Sequence, residues 1–236
     1  MEDEYILGAF DVNTGVYDII STRTLDFSVS QQTYLQGSLP VVMASLFATT
    51  GMTLAVPSGS GTYLSGPKIV TSDNLPSEAI EACEGKAFPV CSSSDTTPAL
   101  QDQSEAVGTY ACTNRHDIKL SVITHAQEND IFWDPVFSDF ETAAMDMNVS
   151  LDAMRFDANF SSEEVIENQI TAIEEACQTE IDGLIVSFSS DFVVGAAMGC
   201  TERGIPVIDI NVGPDLALAA VYPYVGQVSD QFIVRT

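Results

Sequence analysis

Hydrophobic positions after residue 115 repeat with the periods of alternating strands and helices. Residues 118–124 form a short apolar run rich in β-branched side chains, which is typical of a buried strand. Residues 132–147 carry apolar side chains at helical spacing, and Ser161 with Glu164 has the spacing of a capping box that opens a second helix. Further apolar runs predict strands at 151–156, 181–188, 204–210 and 221–226. Because all-apolar strands alternate with helices, we predict an α/β fold with a parallel sheet flanked by helices on both faces.

The first 72 residues show the same kinds of pattern but too few elements for a complete lobe. Apolar runs predict strands at 5–10 and 27–29 with a short helix between them. A longer helix follows over 32–49, and Pro40 ends or kinks its first part. With a last extended run at 67–71, these elements predict a partial second α/β lobe.

Residues 73–115 separate the two patterned segments and are rich in Ser, Asp, Thr and Pro. Because an ordinary loop of this length is unusual inside one domain, we interpret it as a linker between residues 1–72 and residues 116–236. It holds three of the five cysteines. A disulfide, either Cys83–Cys91 or Cys91–Cys112, could constrain this linker.

The other two cysteines, Cys177 and Cys200, each end a predicted helix just before the turn into a strand. Neighbouring units of a parallel sheet place such helix ends side by side, so a disulfide between them is geometrically plausible. It would close a loop of about 24 residues and stabilise the fold by about 3 kcal/mol.

The ionic composition is strongly acidic, with 34 Asp and Glu against 8 Lys and Arg and a formal net charge of −26. Such a charge repels phosphate groups, which argues against nucleic acid or an anionic membrane surface as a partner. No apolar run is long enough for membrane insertion. Sequons at Asn148 and Asn159 and the odd cysteine count favour an extracellular, secretory or cell-envelope location, and free thiols in a reducing compartment are the alternative. A signal peptide has a basic start, whereas this sequence starts with acidic residues. If the location is extracellular or secretory, we therefore expect the sequence to be a piece of a longer secreted chain.

Ligands of open parallel sheets bind beyond the carboxyl ends of the strands, so the residues that follow each predicted strand are candidates. After residues 118–124, the loop places Asp130 beside Phe132 and Trp133, a hydroxyl acceptor next to flat apolar faces that suit a sugar ring. The aromatics could instead belong to the core, and because consecutive helical residues point about 100° apart, we expect only one of them there. Asn211 follows the strand predicted at 204–210.

Sequence signals for an enzyme are weak. No Gly-x-Gly-x-x-Gly or phosphate-binding loop follows a strand and no Gly-x-Ser-x-Gly elbow is present, so no cofactor is predicted. The cysteines lack Cys-x-x-Cys spacing, so no metal site is predicted. His125 lies at the carboxyl end of a predicted strand and could act as a general base, although a lone histidine is more often structural.

Several stretches together resemble a known family. In order along the chain, "IKLSVIT", "NDIFWDPVFSDFETAAMDMNVSLDAMRFD", "ITAIEEACQTEIDGLIVSF", "RGIPVIDINVG" and "YVGQVSD" resemble the amino-terminal lobe of type I periplasmic binding proteins, the ribose- and galactose-binding family related to LacI-type regulators. In the first segment, "YILGAFD" and "LDFSVSQQTYLQG" resemble the last part of the carboxyl-terminal lobe. The resemblance therefore implies the tail of one binding domain followed by the head of another, as in a tandem array with neighbouring repeats.

The resemblance also implies roles for single residues. The family's sugar-stacking aromatics fall on Phe132 and Trp133, and the polar residue ahead of them falls on Asp130. The positions of an aspartate–arginine pair hold Asn211 and Val212. In the other lobe, the ligand aspartate corresponds to Asp11 and the ligand glutamine to Gln31, which in an array belong to a different domain from Trp133.

The resemblance implies non-catalytic binding of a small polar ligand, a sugar above all, by closure of two lobes about a hinge. An enzyme on a flavodoxin-like sheet that uses His125 is one alternative. The other is a sensor or scaffold ectodomain with a decayed site, favoured by Val212. The strand at 67–71 resembles one that crosses to another lobe, so we expect it to pair with the sheet of residues 116–236 or to stay unpaired.

Overall fold

The structure is a computed structural model that describes residues 5–51, 61–75 and 117–227. The strands are β1 (Gly8–Phe10), β2 (Phe27–Ser30), β3 (Thr62–Leu64), β4 (Lys68–Thr71), β5 (Lys119–Gln127), β6 (Ser150–Phe156), β7 (Gly183–Val186), β8 (Val207–Ile210) and β9 (Tyr224–Gly226). The helices are α1 (Thr14–Ser21), α2 (Thr33–Thr50), α3 (Trp133–Met147), α4 (Ser162–Gln178), α5 (Asp191–Glu202) and α6 (Pro214–Ala219).

Six strands form one all-parallel sheet in the order β3-β9-β8-β7-β5-β6. All four residues of β7 and all four of β8 are buried, which is the pattern of strands covered on both faces. Helices α2 and α3 pack on one face, and α4, α5 and α6 pack on the other. The predicted α/β fold with a parallel sheet flanked by helices is therefore confirmed.

The first segment of the chain completes this sheet. β3 adds its outermost strand, with Thr62 opposite Tyr224. Helix α2 lies directly over the sheet, because a Cβ built on Gly183 of β7 would lie 3.2 Å from the Cβ of Ala44. It also packs closely on α3, where a Cβ on Gly37 would lie 2.5 Å from a backbone oxygen of that helix. Residues on both sides of the predicted linker thus share one core.

A second sheet of three strands has the order β1-β2-β4, with β1 parallel and β4 antiparallel to β2. Helix α1 follows β1 and is capped by Asn13, whose Oδ1 accepts a hydrogen bond of 3.0 Å from the backbone N–H of Val16. This small sheet and α1 contain only part of the lobe predicted for residues 1–72, because the long helix α2 and the strand β3 belong to the large sheet instead.

The expected pairing of residues 67–71 is wrong. These residues form β4, which runs back along β2 with Thr71 opposite Phe27. The reason is that β3, a few residues earlier, takes the edge position on the large sheet, and the chain then turns back to the small sheet.

Two local predictions are confirmed. Cys177 and Cys200 form a disulfide between the ends of α4 and α5. Ser161 and Glu164 form the predicted capping box, in which each side chain accepts a hydrogen bond from the backbone N–H of the other residue. Cys83 and Cys91 lie outside the described residues. None of the helices in the described ranges is long and apolar enough to cross a membrane.

Candidate functional site

A cleft of about 580 Å³ lies between the two sheets. Phe10 at the end of β1 and Gln31 after β2 line its small-sheet side. The loop after β8, the first turn of α6 and the residue after β9 line its large-sheet side. These residues are Asn211, Gly213, Pro214, Asp215, Leu216 and Gln227. The cleft therefore lies beyond the carboxyl ends of parallel strands, where open α/β sheets bind ligands.

Asp11 and Gln31 are joined on the small-sheet side. The Nε2 of Gln31 donates a hydrogen bond of 2.7 Å to Oδ1 of Asp11, whose backbone has a left-handed φ of 65°. Burial is the main reason that the pKa of Asp11 is raised; the hydrogen bond from Gln31 lowers it, and the negative charge of Asp130 raises it further. Asp11 and Asp130, which lie on either side of the predicted linker, thus interact electrostatically.

Asn211 is held from the first segment of the chain. Its Nδ2 donates a hydrogen bond of 3.0 Å to Oε1 of Gln36, a fully buried side chain of α2. Its carbonyl oxygen accepts a hydrogen bond of 2.8 Å from the hydroxyl of Tyr224. The left-handed φ of 67° at Asn211 turns the chain out of β8 into the wall of the cleft.

Gln227 is a cleft residue that our sequence reasoning missed. Its Nε2 donates a hydrogen bond of 3.1 Å to the carbonyl oxygen of Ser30, which fixes the orientation of the amide group. Gln227 is 8% exposed, and its Oε1 accepts no hydrogen bond from any described residue. Reading the residue after the last strand, as we did for earlier strands, would have identified it.

The loop before α3 places its three candidates differently. Asp130 is exposed, and its Oδ1 accepts a hydrogen bond of 3.0 Å from the backbone N–H of Phe132. Trp133 is 1% exposed and packs edge-on against Phe132 and Phe137 in the core. The structure differs here from the expected stacking role of Trp133, because a buried indole presents no face to a ligand. Phe132, half-buried, is the aromatic that keeps an accessible surface.

His125 contacts Ser187 rather than the cleft lining. Its Nδ1 lies 2.7 Å from Oγ of Ser187, which also accepts a hydrogen bond from the His125 backbone N–H. Burial lowers the pKa of His125 below its ordinary value, and the charge of Asp130 opposes this shift. Ser187 is fully buried, so this pair ties β5 to the end of β7 and presents no accessible nucleophile.

Asp209 is a buried carboxyl group in β8. Its Oδ1 accepts a hydrogen bond of 2.8 Å from the backbone N–H of Phe188, while its Oδ2 has no partner among the described residues. Burial raises its pKa to about 8, although hydrogen bonds from Phe188 and Ile210 lower it in part. The side chain is therefore mostly protonated at neutral pH and belongs to the interior rather than to the cleft surface.

The fold and the cleft together define an α/β protein with a candidate small-ligand site between two sheets. No group of His, Cys, Asp and Glu side chains in the described ranges is arranged to hold a metal ion. No family model matches the chain, and no curated protein matches it either.

Proposed function

We propose that the cleft binds a small polar ligand, a sugar in the first instance, without catalysing a reaction. The observation that carries the proposal is that three residues with amide side chains, Gln31, Asn211 and Gln227, line one cleft from both sheets. Amide groups both donate and accept hydrogen bonds, as hydroxyl groups of a sugar do.

The resemblance to periplasmic binding proteins supports the same site. It implies ligand roles for Asp11, Gln31 and Asn211, and these residues lie at the cleft or next to its lining. In an array, Asp11 and Gln31 would serve a different domain from Asn211; here both segments contribute to one cleft. We therefore propose that this chain carries both sides of its binding site.

We also propose an extracellular or secretory location. The disulfide between Cys177 and Cys200 is of the kind that persists in oxidising compartments. The strongly acidic composition is compatible with a soluble extracellular protein.

Isothermal titration calorimetry with a panel of neutral monosaccharides tests the binding proposal. We expect saturable binding to the wild type, weakened at least about tenfold in Gln31→Ala. Gln178→Ala is the matched control, because Gln178 is exposed at the last position of α4 and is not among the residues that line the cleft. No saturation up to about 10 mM, or unchanged affinity in Gln31→Ala, would contradict the proposal. Turnover of a bound sugar would contradict its non-catalytic part.

A further inference from the structure

Acidic side chains lie in and beside the cleft. Asp215 lines it, Asp11 is bonded to the lining residue Gln31, and Asp130 interacts electrostatically with Asp11. Among the described residues, the lining contains no lysine or arginine. Val212 stands beside Asn211, where the resemblance implies an arginine. A ligand in this cleft therefore meets negative charge that no lining side chain neutralises.

The second observation is the unpaired amide oxygen of Gln227. Nε2 donates its hydrogen bond to the carbonyl oxygen of Ser30. If the amide group were flipped, Oε1 would face that carbonyl oxygen, and two acceptors cannot form a hydrogen bond. A Cβ built on Gly66 would lie 2.4 Å from Nε2, so the backbone packs closely against the amide. Oε1 is therefore a fixed, desolvated acceptor in a residue that lines the cleft. A buried acceptor of this kind favours a ligand that supplies a hydrogen-bond donor.

We propose that the cleft selects a ligand that carries a protonated amine on a polyhydroxylated frame, such as an amino sugar. This inference rests on the proposed function and names its ligand class. The ammonium group lies toward Asp11 and Asp130, and a hydroxyl or N–H group donates to Oε1 of Gln227. An ammonium ion offers only donors, which matches the carboxylates in and beside the cleft and the unpaired amide oxygen of Gln227. It also relieves the repulsion between the two carboxylates.

Three probes of equal size and different charge test the inference: D-glucosamine, D-glucose and D-glucuronate. Calorimetry at about pH 6 keeps the amine protonated and the sugar acid ionised. We expect glucosamine to bind at least about tenfold more tightly than glucose, and glucuronate to bind more weakly than both. The affinity for glucosamine should fall as the salt concentration rises.

The variant Asp11→Asn assigns the preference to a residue. Asparagine tolerates the left-handed backbone of position 11 and keeps the side-chain volume, so the fold is retained. Because Asp130 and Asp215 remain, we expect the ratio of glucosamine affinity to glucose affinity to fall by at least about threefold, without being lost entirely. Glu202→Gln, which removes an exposed negative charge at the end of α5, should keep the wild-type ratio.

Each outcome decides the inference. Glucose binding with no preference for glucosamine, or glucuronate binding equally well, overturns the amine selectivity and leaves the proposed function in place. A preference that is unchanged in Asp11→Asn overturns the assignment to Asp11. No saturation with any of the three probes overturns both the inference and the proposed function.

Discussion

The contact between α2 and α3 makes a quantitative prediction about Gly37. A Cβ added there would lie 2.5 Å from the carbonyl oxygen of Val136 and 2.7 Å from the Cβ of Asp139. Both atoms are fixed to the α3 backbone, so Gly37→Ala can be accommodated only if the two helices move apart. Alanine gains about 0.5–1 kcal/mol in a helix interior, but overpacking costs about 1–3 kcal/mol. We therefore expect a net destabilisation of about 1–2 kcal/mol.

Urea unfolding followed by the fluorescence of Trp133 measures this loss. Trp133 is the only tryptophan and begins α3, so its emission reports on the helix that Gly37 contacts. Gly195→Ala is the matched control, since it also replaces a glycine inside a helix and its Cβ would meet no atom within 4 Å. We expect Gly195→Ala to raise the free energy of unfolding by about 0.5–1 kcal/mol. A Gly37→Ala variant as stable as Gly195→Ala would refute the close packing of the first segment on α3.

Two further predictions concern the interior. The pKa of Asp209 is raised from 3.8 to about 8, so the native state holds this proton more tightly than the unfolded state does. The stability that this proton contributes is fully present at low pH. It is lost between pH 3.8 and about pH 8, at about 1.4 kcal/mol per pH unit. Asp209→Asn should flatten the fall in the free energy of unfolding between about pH 5 and pH 8, and an unchanged slope in urea titrations would contradict the assignment. Replacing both Cys177 and Cys200 by alanine should lower the free energy of unfolding by about 3 kcal/mol; a loss below about 1 kcal/mol in the same assay would show that the disulfide contributes little.

Local sequence patterns predicted the elements whose structure depends on neighbours along the chain. β7 and β8 are fully buried runs, and the capping box at Ser161 is set by residues three positions apart. The disulfide followed from the repeated strand–helix unit, which brings Cys177 and Cys200 together. Such features need only short-range information and the general geometry of parallel sheets.

Features that depend on distant contacts were missed or misplaced. β3 has only three residues, in a polar stretch, and its place in the large sheet is decided by the open edge of β9. The sequence led us to expect that residues 67–71 pair with the large sheet, but β3 makes that pairing instead. Whether Phe132 or Trp133 faces the core depends on the rotation of α3, which periodicity leaves open because both fit an apolar face. Gln227 directly follows the last predicted strand, but the orientation of its amide group depends on a contact with Ser30, almost 200 positions away in the sequence.

The edge position of β3 has a consequence for how the molecule folds. Thr62 of β3 pairs with Tyr224 of β9. The edge strand β3 and the helix α2, which covers one face of the large sheet, therefore come from the first segment of the chain, whereas the other five strands come from residues 119–226. Contacts of such long sequence separation form late and slow the search for the native topology. Until α2 arrives, the apolar face that it covers, which includes Ile185, Ile208 and Val225, stays open to solvent. A chain that refolds from the fully unfolded state would therefore expose an aggregation-prone surface during that interval, and a shortened protein lacking the first 72 residues would keep it exposed permanently.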